Sequence, residues 1–188
     1  MFGNTTGDSA SAREFHEVSE SIYENTSTLP DVDLAARRLD AAEVSQETVA
    51  VFGDFDADGV TGTALLVKAL RRYGVKVIAY IPHRVTEGHG LNIAAITSLW
   101  NRGVRLIVTV DCGVTDVAQV AHAKDLGIDV IITDHHLVTE NLPDAVAIIN
   151  PHAPHSHYGF SHLTGVGMAF KLSQMLLEPY WGSGWDDR

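Results

Sequence analysis

Three short strings carry the residues that could do chemistry: Asp54-Phe55-Asp56-Ala57-Asp58-Gly59, Asp111-Cys112-Gly113 and Asp134-His135-His136. Each follows an apolar run. If those runs are neighbouring strands of a parallel sheet, the strings meet at one edge. Carboxylates crowded there with two imidazoles repel one another unless cations lie among them. Carboxylates and neutral imidazoles are ligands for divalent metals such as Mn²⁺. The economical inference is a site for two divalent ions that handles a phosphate ester. A carboxylate shared by both ions, for which Asp111 is the candidate, would hold them roughly 3.5–4 Å apart, the separation used for in-line phosphoryl displacement. One histidine of the third string can ligate while its neighbour faces the substrate phosphate, and a ligating imidazole needs a partner for its other nitrogen.

The elements that must position these strings are legible. Residues 31–42 have the periodicity of a helix, with Val32, Leu34, Ala35, Leu39 and Ala42 roughly on one face and Asp31 or Asp33 serving its N-terminus. Strands are expected over residues 49–52, 75–81, 104–110, 128–133 and 145–149, and helices over 63–73, 93–102, 116–126 and 163–177. Gly74, Gly103 and Gly127 each stop a helix just before a β-branched run, as a residue accepting the left-handed conformation does. Strands alternating with helices imply βαβ units. Near-continuous Val/Ile runs imply burial on both faces of the sheet. The expected fold is therefore a Rossmann-like parallel α/β sheet of about five strands with helices on both faces. Ligands of such sheets bind at the carboxyl ends of the strands, where all three strings fall.

Each string also has a plainer reading. Asp54, Asp56 and Asp58 alternate, which in extended chain puts them on one face, but an Asp-rich turn that caps a helix looks the same. Asp111 alone would suit a loop cap, and Asp-His-His alone would suit a surface loop; their shared placement after strands favours the site. Arg84 and His89 lie in the loop after the second strand, on the same edge, and Arg84 is a candidate phosphate contact whose alternative is a surface arginine. His152, His155, His157 and His162 form a second histidine group, read as a substrate-facing or mobile loop rather than a structural metal site. Cys112, the only cysteine, reads as a packing residue, because an adjacent carboxylate raises a thiol pKa.

Composition narrows the classes. The 188 residues suit one domain, or one domain with an arm, and a hydrophobic fraction of 45% suffices for a full core. Residues 1–30 are polar and read as an arm, with a short helix possible over 13–23. Residues 31–188 read as the domain. No apolar run is long enough to span a membrane, and a polar N-terminus with a single cysteine suits the cytoplasm. The net charge of −11 argues against coating duplex DNA. It does not argue against cutting nucleic acid at a metal centre, since bound cations reverse the local field. Phosphate-binding P-loop, dinucleotide and Gly-x-Ser-x-Gly signatures are absent from the sequence.

The strings also carry a resemblance. Residues 53–59, Ile81-Pro82-His83-Arg84, Glu87-Gly88-His89-Gly90-Leu91-Asn92, Val110-Asp111-Cys112-Gly113, Thr133-Asp134-His135-His136, Ile149-Asn150-Pro151 and residues 163–170 (Leu-Thr-Gly-Val-Gly-Met-Ala-Phe) occur in one order. In that order they resemble the DHH phosphoesterase superfamily and, within it, its RecJ-type single-strand DNA exonucleases. The resemblance implies two Mn²⁺ or Mg²⁺ ions held by Asp56, Asp58, Asp111 and His135, with Asp111 bridging and Asp54 touching or backing the ligands. Asp134 would act with them in catalysis, and His136 would touch the scissile phosphate. Arg84 and His89 would contact substrate. The substrate implied is the 5′ end of single-stranded DNA, in repair and recombination, with single-strand-binding protein or helicase partners. Two departures stand out. The family's further metal-binding Asp has no evident equivalent before Arg188, and its glycine-rich C-terminal domain is missing, so the sequence reads as an N-terminal catalytic half with weak or no activity alone. Alternative readings are a phosphoesterase of short oligonucleotides, phosphoadenosine phosphate or cyclic dinucleotides, and a non-enzymatic binding fragment.

Overall fold

The computed structural model describes residues 26–154 and 156–178. The arm's expected helix and His155 lie outside them. A single 3₁₀ turn, Thr26–Thr28, precedes α1 (Val32–Val44), β1 (Thr48–Gly53), α2 (Ala57–Tyr73), β2 (Lys76–Tyr80), α3 (Ile93–Asn101), β3 (Val104–Val110), α4 (Val117–Asp125), β4 (Asp129–Thr133), β5 (Ala147–Ile149) and α5 (Gly165–Leu177). The five strands form one sheet in the order β2-β1-β3-β4-β5, and every pairing is parallel.

Strand side chains alternate between two cores, as the pleat requires. Val49 and Val51 join Leu106, Val108, Val110 and Ile131 under α1, α2 and α5. Ala50 and Phe52 join Ile107, Val130 and Ile132 under α3 and α4. The sheet is therefore covered on both faces, which explains why its strands read as continuous apolar runs. Gly74, Gly103 and Gly127 all have positive φ, as their place at helix ends required.

One expected helix start needs correction, and at the other the acidic residue in the first turn is Asp33. Asp31 stands at the N-cap of α1 but has φ 54° and makes no side-chain cap. Its carboxylate accepts instead from the Ile148 amide at 3.0 Å, tying the helix to β5. The second helix begins at Ala57 rather than Thr63, because Asp56 caps it, accepting from the amides of Asp58 and Gly59. The string after β1 is thus not extended throughout: Asp58 already lies in the first helical turn.

Close approach positions the last helix. A Cβ on Gly62 would sit 2.7 Å from Val110 Cγ1 and 3.1 Å from Val166 Cα, and one on Gly165 would sit 2.4 Å from Asp111 Cβ and 2.5 Å from its Oδ1. The start of α5 therefore rests directly on Asp111. We expect Gly165→Ala to lose roughly 1–3 kcal/mol, as overpacking does, and to lower Tm by about 3–10 °C. Gly167→Ala, whose added carbon meets the movable tip of Leu163 at 3.2 Å, should be near neutral. Thermal melting of the two variants checks this, and equal melting points would contradict the close approach.

Candidate metal centre

Three aspartates follow their strands in the same register. Asp54 donates its amide to Val110 O at 3.2 Å, Asp111 to Thr133 O at 3.0 Å and Asp134 to Ile149 O at 3.2 Å. Each extends the ladder by one residue, so the backbones that carry the three carboxylates lie one strand separation apart, about 4.8 Å. All three residues are buried, between 1% and 4% exposed. Parallel pairing alone brings groups far apart in sequence into a row.

The members of the row differ in their partners. Asp134 is saturated: its Oδ1 accepts from the amides of His135 at 2.8 Å and His136 at 3.1 Å and faces His136 Nδ1 at 2.7 Å, and its Oδ2 accepts from Val114 at 3.0 Å. It orients the His136 ring and fastens the loop after β3. Asp58 is similarly committed, accepting from Gly165 N at 2.5 Å and Val166 N at 2.8 Å at the positive end of α5. By contrast, Asp54 Oδ1 and Asp111 Oδ1 are buried without a hydrogen bond, although His89 Nδ1 lies 3.1 Å from the first and His135 Nε2 lies 3.0 Å from the second. Asp111 also has φ 64°, a left-handed conformation that Asp tolerates better than most residues.

Donor atoms gather in two triads, each with its atoms within 4.8 Å of one another: Asp111, His135 and His136, and Asp54, Asp56 and Asp111. Asp111 belongs to both. Asp58 stands at the side, its Oδ2 3.9 Å from His135 Nε2. This donor set, oxygens with imidazole, fits a hard to borderline divalent ion, and the two orphaned carboxylate oxygens are the atoms such ions would satisfy. Without ions the cluster is electrostatically poor. Burial, then the charges of Asp58 and Asp56, push the Asp111 carboxyl up to about 7. Burial and the neighbouring His136 hold His135 low, in its neutral, ligating form. For His136, burial acts downward, but the hydrogen bond and charge of Asp134 with the charges of Asp111 and Asp54 outweigh it and leave the ring raised.

The loop from Ile81 to Asn92 forms one wall. Glu87 builds it, accepting from the His83 amide at 2.8 Å and from Tyr80 Oη. Asn92 caps α3 through Ala95 N at 2.7 Å, and Leu91 enters the core at 2% exposure. Asp116 latches the loop from outside by accepting from Leu91 N at 2.8 Å; a Cβ on Gly90 would meet the same carboxylate at 2.8 Å. His89 is brought onto Asp54 and Arg84 is stacked over Phe55, its Cζ 5.2 Å from the ring centroid.

Of the residues named from sequence, Asp54, Asp56, Asp111, His135 and His136 share the triads, while Asp58, Asp134 and His89 adjoin them and Arg84 sits on the wall. Sequence reasoning gave no role to Asp116, or to Asn150 within its Ile149-Asn150-Pro151 string. Asn150 is wholly buried; its Nδ2 donates to His136 O at 2.9 Å, and its Oδ1 accepts from His152 N at 2.7 Å. That contact two residues on is an Asx turn, which an Asn before Pro signals. Nothing local signals Asp116, whose partner lies 25 residues away. Among the described residues, the second histidine group does not gather into a donor cluster; His162 packs on Phe160 beside an apolar recess of about 420 Å³ that none of the site carboxylates line. Cys112 is buried, and burial followed by the charge of Asp134 pushes its thiol well up, which suits packing.

The model of the DHH family's N-terminal domain matches residues 48–183. The chain belongs to the DHH family. Among curated relatives, the single-stranded-DNA-specific exonuclease RecJ of Bacillus subtilis (strain 168) is 42% identical over 167 residues, 89% of this chain and 21% of the relative. The protein of the same name from Escherichia coli K12 is 46% identical over 140 residues, 74% of this chain and 24% of the relative. A crystal structure of exonuclease RecJ bound to manganese superposes with TM-score 0.74 at 35% identity, covering 81% of this chain and 38% of that one. The DHH chain thus spans between a fifth and a quarter of the length of these two curated relatives.

The charge on Asp111 sets a prediction for the ion-free protein. Its carboxyl is raised from about 3.9 in an unfolded chain to about 7, so between those values the folded state binds the extra proton and stability falls as pH rises. An asparagine side chain at this position copies the protonated form and tolerates the left-handed backbone. In chelator, Asp111→Asn should exceed the parent by only about 1 kcal/mol at pH 4.5 and by about 4 kcal/mol at pH 8, taking about 1.4 kcal/mol per pKa unit. Melting curves at both pH values check this; no difference at pH 8 would show that the carboxylate is not strained by its neighbours.

Proposed function

We propose that this chain is a divalent-metal-dependent phosphodiesterase that removes nucleotides from the 5′ end of single-stranded DNA; its RecJ relatives are named single-stranded-DNA-specific exonucleases. One observation carries the reading: two donor triads meeting at Asp111. Asp54, Asp56, Asp111 and His135 would hold Mn²⁺ or Mg²⁺, with Asp58 beside them. When bound, such ions supply the positive charge that the attacking and leaving oxygens of phosphoryl transfer require. The chain's own groups do the rest. Asp134 fixes the His136 imidazole, and that ring, half exposed and raised in pKa, donates to a phosphate oxygen or leaving group. Arg84 and His89 bind the phosphate backbone from the wall, where a guanidinium fork suits phosphate. Among the described residues no helix is long and apolar enough to cross a membrane; the reading adds a cytoplasmic setting and single-strand-binding protein or helicase partners.

The test is release of label from 5′-labelled single-stranded DNA with Mn²⁺, beside a dinucleotide and duplex DNA. Stepwise loss from the 5′ end, abolished by chelator and reduced at least about 10³-fold in Asp111→Ala, is expected. Turnover of the dinucleotide alone would overturn the exonuclease reading; turnover of nothing while Mn²⁺ still binds would make this chain the binding fragment instead. Asp134→Asn, which leaves the ligands but loosens His136, should cost about 10–100-fold, the usual effect of removing a partner behind a metal site.

Proton competition gives a second check. Asp111 must lose its proton to hold an ion, and its carboxyl titrates at about 7. Mn²⁺ affinity, measured by calorimetry, should rise about tenfold per pH unit below that value and level off above it. A flat profile across roughly pH 5 to 8 would remove Asp111 from the ligand set.

A further inference from the structure

Phe55 has no place in the metal chemistry and little in the core. Phe52, three residues earlier, is fully buried, whereas Phe55 is half-buried between the aspartates of the first string. Its ring has two polar neighbours. Arg84 Cζ lies 5.2 Å from the centroid, within cation–π reach, and the His89 ring meets it edge-on at 6.3 Å. His89 in turn meets His136 at 6.1 Å, again edge-on.

Arg84 is exposed in a chain with 24 acidic residues, yet it makes no ion pair among the described residues; the ion pairs there involve Arg38, Lys124 and the three site histidines. A guanidinium beside the carboxylates of the first string would ordinarily fold onto one of them and commit its in-plane N–H donors there. Placed over a phenyl ring instead, it commits none of its five N–H donors to a carboxylate among the described residues. We infer that Phe55 is a positioning residue for substrate: its ring parks Arg84 beside the acidic centre, so that the guanidinium presents its donors to a phosphate group there, with His89 held against the same ring and Asp54. The ligand class is a phosphate of an unpaired strand, and the inference rests on the phosphodiester reading above.

The experiment measures binding of fluorescent, 5′-phosphorylated oligothymidylate to the full chain without divalent metal, by anisotropy at low salt, and then Mn²⁺-dependent hydrolysis. Exposed cation–π contacts correspond to about a two- to fivefold change in affinity. Phe55→Leu should weaken binding by that factor and raise KM with kcat within about twofold. Phe55→Trp, bulkier but a better π face, should bind as the parent does or tighter, an order that a merely space-filling ring would reverse. Arg84→Ala should weaken binding at least as much, and Phe55→Leu should add nothing to it, because interacting residues are not additive. Unchanged affinity in Phe55→Leu, a Trp variant weaker than Leu, or fully multiplicative losses would each overturn the inference, as would a parent chain that does not bind the oligonucleotide. Binding with the expected variant order but no hydrolysis would instead sink the exonuclease reading and leave the role of Phe55 standing.

Discussion

Mutual repulsion among carboxylates confined to one sheet edge is the constraint to which the rest of the molecule answers. Asp111 shows it most directly. Its side chain is buried, one oxygen has no hydrogen bond, its backbone is left-handed, and burial with the charges of Asp58 and Asp56 raises it to about 7. An unneutralised charge there costs about 4 kcal/mol at alkaline pH, taking about 1.4 kcal/mol per pKa unit. That is a large share of the about 5–15 kcal/mol by which folded domains exceed the unfolded chain. A residue this unfavourable persists where its surroundings over-determine it, and here they do: the Thr133 carbonyl holds its amide, and Gly165 closes over its Cβ.

Around that point the acidic residues divide by their lone pairs. Those whose oxygens are met by backbone amides build the scaffold: Asp56 starts α2, Asp58 clasps the first amides of α5, Asp134 binds the loop after β3, Asp116 latches the wall. Asp58 does the most with one side chain, since a single carboxylate satisfies two otherwise unpaired helix-start donors while its charge adds to the field at Asp111. Asp54 and Asp111 keep an oxygen open. The division is not a choice between capping and ligation, because a carboxylate has about four lone-pair sites; Asp56 caps α2 with Oδ1 and still belongs to a donor triad.

Much of this was legible in the chain. β3 falls where its apolar run stands, and the remaining strands differ from expectation by a residue or two at their ends, because burial on both faces leaves an uninterrupted Val/Ile signal. The convergence of the three strings followed from parallel topology alone. What escaped was non-local. That Asp58 faces Gly165, 107 residues away, and that Asp31 serves Ile148, 117 residues away, depends on how helices dock on the finished sheet. The early start of α2 escaped for a different reason. The Asp-x-Asp-x-Asp spacing suits an extended ligand string and a helix cap equally, and the structure uses both in turn.

The row of aspartates raises a last question: why the register-equivalent Asp134 is closed while Asp54 and Asp111 are open. Topology answers it. In the order β2-β1-β3-β4-β5 the chain leaves β1 toward one edge and β3 toward the other, so the loops after these two strands part and leave a crevice between them. Asp54 and Asp111 flank that crevice. From β3 onward, successive strands add in one direction, and the loop after β3 runs across the end of β4. Val114 N then reaches Asp134 Oδ2, and the turn into His136 fills the other oxygen. The same residue type at the same strand position thus becomes an open donor at the switch point and an anchored support one strand beyond it, a distinction made by strand order rather than by local sequence.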